Sequence, residues 1–216
     1  MTIWTLWTDG LPATLAMLSG HFGLSQAGAI IVLTFAARLA IMPVSIGAAL
    51  KADHNRRRVD ALKPELEALR SRFKDDPRAL AEQTLSLYRR EGVRFLDRLT
   101  LANLAAQGVV GFGMFRMLHK VKFEAAFLWI ADIAKPDLLL ALLTGAIMAL
   151  ALSLAPGSHP HMSLAMLMIP VAISIVSVAT FPSAIGLYWA SSNLVSLSQT
   201  LVVRRIANRR QRGLAQ

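Results

Sequence analysis

Residues 163–203 run for 41 positions without a single Asp, Glu, Lys, Arg or His. A helix rises 1.5 Å per residue, so about 20 apolar residues cross the roughly 30 Å of hydrocarbon in a bilayer. The run has the length of two crossings, and FPSA at 181–184 is where it breaks. Pro182 cannot continue the preceding hydrogen-bond ladder, and so few intervening residues turn the two halves into an antiparallel hairpin. The fourth and fifth spans of the chain are therefore expected at 163–180 and 183–203.

The remaining sequence obeys the same rule, that charge stays out of hydrocarbon. Thirteen of the 23 Lys and Arg residues fall between Lys51 and Arg98, five more between Arg204 and Arg212, and five are left for everything else. A soluble domain of this length rarely combines 55% hydrophobic residues with a mean hydropathy of +0.49. The expected fold is all-α, a polytopic membrane protein with five transmembrane helices and a cytoplasmic helical hairpin between the first and second spans.

Along the chain, 1–23 reads as an external interfacial segment, with Trp4 and Trp7 at its front and Leu11, Leu15 and Leu18 at helical spacing. The first span occupies 24–50, with an uninterrupted apolar core from Gly28 to Leu50. Residues 51–98 hold 13 basic and 9 acidic side chains. Leu62, Leu66, Leu69 and Phe73 make a narrow apolar seam there, and Asp76-Pro77 is an N-cap followed by proline at the first helical position. A second periodic segment with Leu80, Thr84, Leu87 and Tyr88 ends near Gly92, which completes a hairpin. The second span is 99–118, where Gly108, Gly111 and Gly113 are expected to admit a close neighbour. An external loop covers 119–137, the third span 138–155, and PGSHPHM at 156–162 is a tight connector. The tail, 204–216, is basic.

Lys and Arg are retained on the cytoplasmic side of a membrane. With the N-terminus outside, hairpin and tail place 18 basic residues in the cytoplasm against Lys120, Lys122 and Lys135 outside, with Arg116 close by. The first twenty residues carry no Lys or Arg, and Asp9, Gly10 and Pro12 interrupt them, so no cleaved signal peptide is expected. The absence of cysteine excludes disulfides, thiolate metal sites, Cys nucleophiles and a lipidated N-terminal cysteine.

Arg38 is the one ionisable residue of the first span and sits near its middle. Placing arginine there costs about 2.5–3.5 kcal/mol on insertion scales. From residue 38 either interface is roughly 15 Å away, too far for comfortable snorkelling, so the guanidinium is expected to face a hydrated cavity between helices. None of the five spans contains Asp or Glu, so an acidic or polar partner has to arrive from elsewhere. Thr34 lies one turn before Arg38 on the same face, Gln107 is midway along the second span, and Tyr188, Asn193, Ser196 and Gln199 follow one another along the fifth. Together they outline a polar groove, although each alone is as consistent with a helix–helix hydrogen bond, and Arg38 with a structural role. The basic hairpin and tail suit anionic headgroups, ribosomal RNA or acidic client segments, and equally suit simple topological control.

No H-E-x-x-H, G-x-S-x-G or phosphate-binding glycine loop is present, and the spans hold no carboxylate pair. His159 and His161 flank a proline without a third ligand. Neither an enzyme nor a cofactor or metal site is expected. A small transporter or channel using Arg38 as an anion site is a competing reading, disfavoured by the lack of repeats and paired broken helices. A membrane scaffold whose hairpin binds a soluble partner is another.

Four stretches resemble the YidC/Oxa-type membrane-protein insertases: TFAARLAIMP (34–43), LKPELEALRSRFKDDPRAL with LYRREGV (62–93), FLWIADIAKPD (127–137), and MIPVAISIVSVATFPSAIGLYWASSNLVSLSQ (168–199). The likeness covers roughly 24–206 and implies the compact five-span form of that family in a bacterial inner membrane. It implies a groove open to cytoplasm and lipid, closed outside, which receives the polar tail of a client and passes its apolar helix into the bilayer without a nucleotide. Arg38 takes the groove arginine's place, Thr34 and Tyr188 client-contacting places, and Gln107 that of a second-span groove glutamine. Trp189 falls in the same LYW motif, with Asn193 and Gln199 following it. Partners implied are newly made membrane proteins and the bilayer, with a ribosome or a Sec-type translocon beside them, and no small-molecule substrate. The sequence departs from the family at RFLDRLTLANLAAQ, two residues longer before Gln107, and at LLLALLTG, which lacks the prolines near the third span's start. A different approach of the hairpin to the membrane is expected there.

Overall fold

A computed structural model describes residues 3–93, 97–155 and 164–214, and it is all-helical. The described residues form α1 (Ile3–Gly20), α2 (Gln26–Ala61), α3 (Lys63–Arg72), α4 (Pro77–Arg90), α5 (Arg98–Lys120), α6 (Leu138–Ser153), α7 (Leu164–Thr180) and α8 (Ser183–Leu214). The connector 156–162, with His159 and His161, lies outside the described residues.

Side-chain caps set the helix starts. Ser25 accepts from the Gly28 N–H, Asp76 from Ala79, Asp97 from Thr100 and Asp137 from Leu140. Each satisfies one of the N–H groups that a first turn leaves without a partner. Asp76 with Pro77 is the cap expected from the sequence. Asp97 also takes an ion pair from Lys51 Nζ at 2.7 Å, which ties the start of α5 to α2. The Lys51 hydrogen bond, followed by the Thr100 N–H, lowers the Asp97 carboxyl from 3.8 to about 2.

Two helices run further than the charge pattern implies. α2 continues past Leu50 to Ala61, and α8 continues through the basic tail to Leu214. Leaving the apolar segment does not end a helix; a breaker does, and neither 51–61 nor 204–211 contains Gly or Pro. The hairpin therefore hangs from a rigid extension of α2. Its small core buries Leu62, Leu87 and Val93, with Val59, Leu66, Leu69 and Tyr88 packed around them. At roughly 1.5–3 kcal/mol for each fully buried side chain, those three residues favour the packing of α3 against α4.

The main cluster joins α1, α2, α5, α6, α7 and α8 through Ile30, Met114, Met117, Leu140, Val178 and Ile185 among others. α8 is packed between α2 and α6, α7 covers α6, and α5 also packs along α2. α5 and α8 barely meet, which leaves a cleft between them above α2. α1 rests on α2 and α5 through buried Leu11 and Leu15. Of the glycines expected to admit a neighbour, Gly108 has nothing within 4 Å of an added Cβ, whereas one at Gly111 meets the Tyr188 hydroxyl at 3.4 Å. The tightest approaches are elsewhere. A Cβ at Gly186 would lie 2.7 Å from Leu140 Cδ2 and 2.9 Å from Val178 Cγ1, and one at Gly145 would strike Ile175.

The loop between α5 and α6 is stitched to the turn before α8. Ser183 and Ala184 donate their backbone N–H groups to Lys135 and Ile133 carbonyls at 2.9 Å, and the Ser183 hydroxyl donates to Lys135 O at 2.6 Å. These bonds satisfy the first donors of α8 with the loop's own carbonyls. By length and composition, α2 and α5 are apolar enough to cross a membrane, while Leu138–Ser153 and Met168–Thr180 are apolar but shorter.

Candidate functional site: an arginine in a polar recess

Arg38 lies on the face of α2 that looks into the cleft between α5 and α8. It lines a recess of about 330 Å³ with Gly111 and Phe115 of α5 and Ile185, Tyr188, Trp189, Ser192 and Asn193 of α8. Its side chain is partly buried. Nε donates to Ser192 Oγ at 3.2 Å and Nη1 to Gln107 Oε1 at 2.8 Å. Both acceptors are neutral, and among the described residues Arg38 enters no ion pair. A guanidinium has five N–H donors, so two bonds orient it and leave Nη2 without a protein partner among the described residues.

Gln107 is itself held. Its Nε2 donates to Asn103 Oδ1 at 3.4 Å, and Ser45 Oγ donates to the same oxygen at 2.7 Å. Asn103 and Gln107 are one turn apart on α5, and Arg38 and Ser45 two turns apart on α2, so the two helices present matched polar edges. The bond to Asn103 fixes the Gln107 amide with its oxygen towards Arg38. From Arg38 to Ser45 this polar ladder extends for about 10 Å at 1.5 Å per residue, in the direction of the hairpin.

The opposite end of the recess is aromatic. The Phe115 and Phe181 rings meet edge to face with centroids 5.9 Å apart, and the His119 ring lies 4.2 Å from that of Phe115. Beyond them comes the stitched loop. The recess is thus polar towards the hairpin and aromatic towards the α5–α6 loop.

The residues expected from the sequence divide accordingly. Arg38, Tyr188, Trp189 and Asn193 share the recess, and Gln107 touches Arg38 from its edge. Thr34 is fully buried, and its hydroxyl donates to Ile30 O at 2.7 Å, so the helix's own backbone engages it and it does not line the recess. Ser196 likewise donates to Ser192 O. Gln199 lines a separate recess with Ala49, Asp53 and Arg56. Three contributors were not singled out: Ser192, Asn103 and Ser45. Asn103 carried a signal, since it precedes Gln107 by four residues inside an apolar helix; the two serines carried none.

The family model described as 60Kd inner membrane protein matches residues 17–211. A Helicobacter pylori protein named membrane protein insertase YidC is 28% identical over 195 residues, covering 87% of this chain and 34% of its own length. A Francisella tularensis subsp. novicida protein of the same name is 29% identical over 198 residues, 87% of this chain and 33% of its own. One from Clostridium tetani is 23% identical over 190 residues, 82% of this chain and 81% of its own. The chain spans about a third of the length of the first two relatives and four-fifths of the third. With nearly its whole length matched, the chain belongs to the 60Kd inner membrane protein family, the YidC/Oxa-type group its motifs resemble.

Proposed function

We propose that this protein is a membrane protein insertase that receives the polar tail of a client at Arg38 and releases the client's apolar helix into lipid. The observation that supports this reading is a partly buried guanidinium oriented by neutral groups only. Buried charges are normally neutralised by a counter-charge. Here Gln107 and Ser192 supply geometry without cancelling charge, which suits a site whose anion belongs to another molecule. Hydrated polar groups partway across lower the barrier for the tail, and burial of the client's apolar surface, at about 25 cal/mol per Å², drives the step with no covalent chemistry.

In this reading the chain crosses the bilayer five times, with 24–50, 99–118, 138–155, 163–180 and 183–203 as spans. Each of α2, α5, α6, α7 and α8 exposes large apolar side chains, among them Leu39, Phe112, Leu142, Ile173 and Leu194, as lipid-facing surfaces do. The hairpin and the 204–216 tail face the cytoplasm because they hold 18 of the 23 basic residues. They offer docking charge for a ribosome or a translocon. The cleft between α5 and α8 is the exit for the client helix, and Tyr188, Trp189 and Asn193 are the walls it passes. Thr34 and Gln199 flank this path, one turn and several turns from its centre.

The test is reconstitution of the purified chain in liposomes with a single-span client bearing an acidic tail, scored by protease protection, together with crosslinking from positions 188 and 193 and from buried position 34. Insertion that needs Arg38, with crosslinks from 188 and 193, supports the proposal. Arginine-dependent anion flux without client crosslinks would replace it with a transporter.

A further inference from the structure

A second recess, of about 230 Å³, lies between α2, the end of α6 and α8, lined by Ala49, Ala52, Asp53, Arg56, Ala155, Gln199, Thr200 and Val203. Three helices independently fix its depth. On α2, Ala49 lies ten residues past the centre of the 28–50 segment, about 15 Å, and Arg56 about 25 Å, while side chains lean back towards the helix N-terminus. On α8, Gln199 and Val203 come 16 and 20 residues after Ser183, about 24 and 30 Å. Ala155 lies two residues past the end of α6, whose 16 residues from Leu138 to Ser153 rise about 24 Å. All three counts arrive at the boundary between the roughly 30 Å hydrocarbon layer and the headgroups.

The chemistry of the lining matches that boundary. Ala49, Ala52, Ala155 and Val203 make a small apolar floor, and Arg56, Gln199 and Thr200 bring donors above it. Asp53 already has a partner in Arg57 Nε at 2.8 Å. Arg56 enters no ion pair among the described residues, so the recess keeps about one positive charge.

We infer that this recess binds the phosphodiester of a phospholipid headgroup, with Arg56 carrying the charge contact and Thr200 and Gln199 the hydrogen bonds. A free anion shares that chemistry but has no use for the apolar floor, where glycerol and the first acyl carbons sit. The inference rests on α2, α6 and α8 being spans, and not on insertion activity.

The full chain in detergent, given phosphatidylglycerol and examined by native mass spectrometry, tests it. The wild type retains one lipid, and Arg56→Met lowers retention at least about tenfold, the loss expected when a charged hydrogen-bonding partner is removed. Arg205→Met, which removes an exposed arginine from neighbouring α8, leaves retention unchanged. Equal retention in the two variants overturns the inference, as does displacement of the lipid by excess inorganic phosphate. Arg38→Ala keeps the lipid, so loss of insertion with lipid retained separates the two sites, and failed insertion by a lipid-retaining wild type removes only the insertase reading.

Discussion

Gln107→Glu is the substitution that most sharply tests why Arg38 is charged. The two side chains are nearly isosteric, so the 2.8 Å contact to Nη1 survives while its acceptor gains a full negative charge. Unit charges about 4 Å apart attract by about 4 kcal/mol at an effective dielectric of 20 and about 1 kcal/mol in water. The recess is open and Arg38 only partly buried, which puts the pair nearer the lower figure, at about 1–2 kcal/mol, or a factor of roughly 5–30. An incoming client carboxylate then meets a neutralised pair. In proteoliposomes, insertion of an acidic-tailed client should slow by that factor, with a neutral-tailed client affected much less. Gln107→Met removes the same hydrogen bond without adding charge and should slow the acidic client less than Gln107→Glu does. If Gln107→Glu inserts acidic clients at the wild-type rate while Arg38→Ala fails, the charge of Arg38 is not what clients read. Equal slowing of both clients would refute the reasoning in the same way.

Arg38→Ala should abolish insertion while the protein stays embedded, and Arg38→Lys should keep part of the activity because charge persists without the planar fork; carbonate extraction and protease protection report the two properties. Asn103→Leu should free the Gln107 amide to turn, lowering insertion by a few-fold with little change in melting temperature, and combining it with Arg38→Ala should add nothing further. Gly186→Val should destabilise the α6–α7–α8 packing by about 1–3 kcal/mol through overlap with Leu140 and Val178, whereas Gly108→Ala, facing open space, should be neutral or slightly stabilising; thermal melts in detergent distinguish them. Asp97 titrates at about 2 when folded against 3.8 ordinarily, so its stabilising link to Lys51 is fully present above about pH 4 and is lost as pH falls towards 2. Melts of the wild type should show that loss, and Lys51→Met should flatten it.

What the sequence revealed follows from which forces are local. Blocks of charge, the Pro182 break and the Asp76-Pro77 cap act on their own neighbours, and the starts of α4 and α8 fall at Pro77 and Ser183 as expected. α2 and α8 run past the expected spans because the apolar edge of a segment is set by lipid, while a helix stops at a breaker. Close packing was legible only in part: Gly113 is buried and Gly111 meets Tyr188, but Gly108 and Gly145 look alike as letters, and only the neighbouring helix decides that one faces space and the other Ile175. Thr34 shows the limit of reading hydroxyls in apolar helices. Ser and Thr bond readily to the carbonyl four residues back, as Thr34, Thr144 and Ser196 all do, so a hydroxyl at groove spacing need not point into a groove.

Longer side chains behave differently, and that explains why Arg38 and Gln107 were legible while Ser192 and Ser45 were not. A guanidinium or a carboxamide cannot easily satisfy itself on its own helix at mid-span, so its presence there implies a partner across an interface. A serine has no such obligation and becomes informative only after the long side chain is placed. Ser192 accepts from Arg38 because α8 crosses α2 there, and Ser45 donates to Asn103 because α5 runs alongside. Neutral partners are also the less costly choice at this position. A resident carboxylate would add its own desolvation penalty and cancel the field at the recess. An amide and a hydroxyl orient the arginine and leave its charge for whatever enters between α5 and α8.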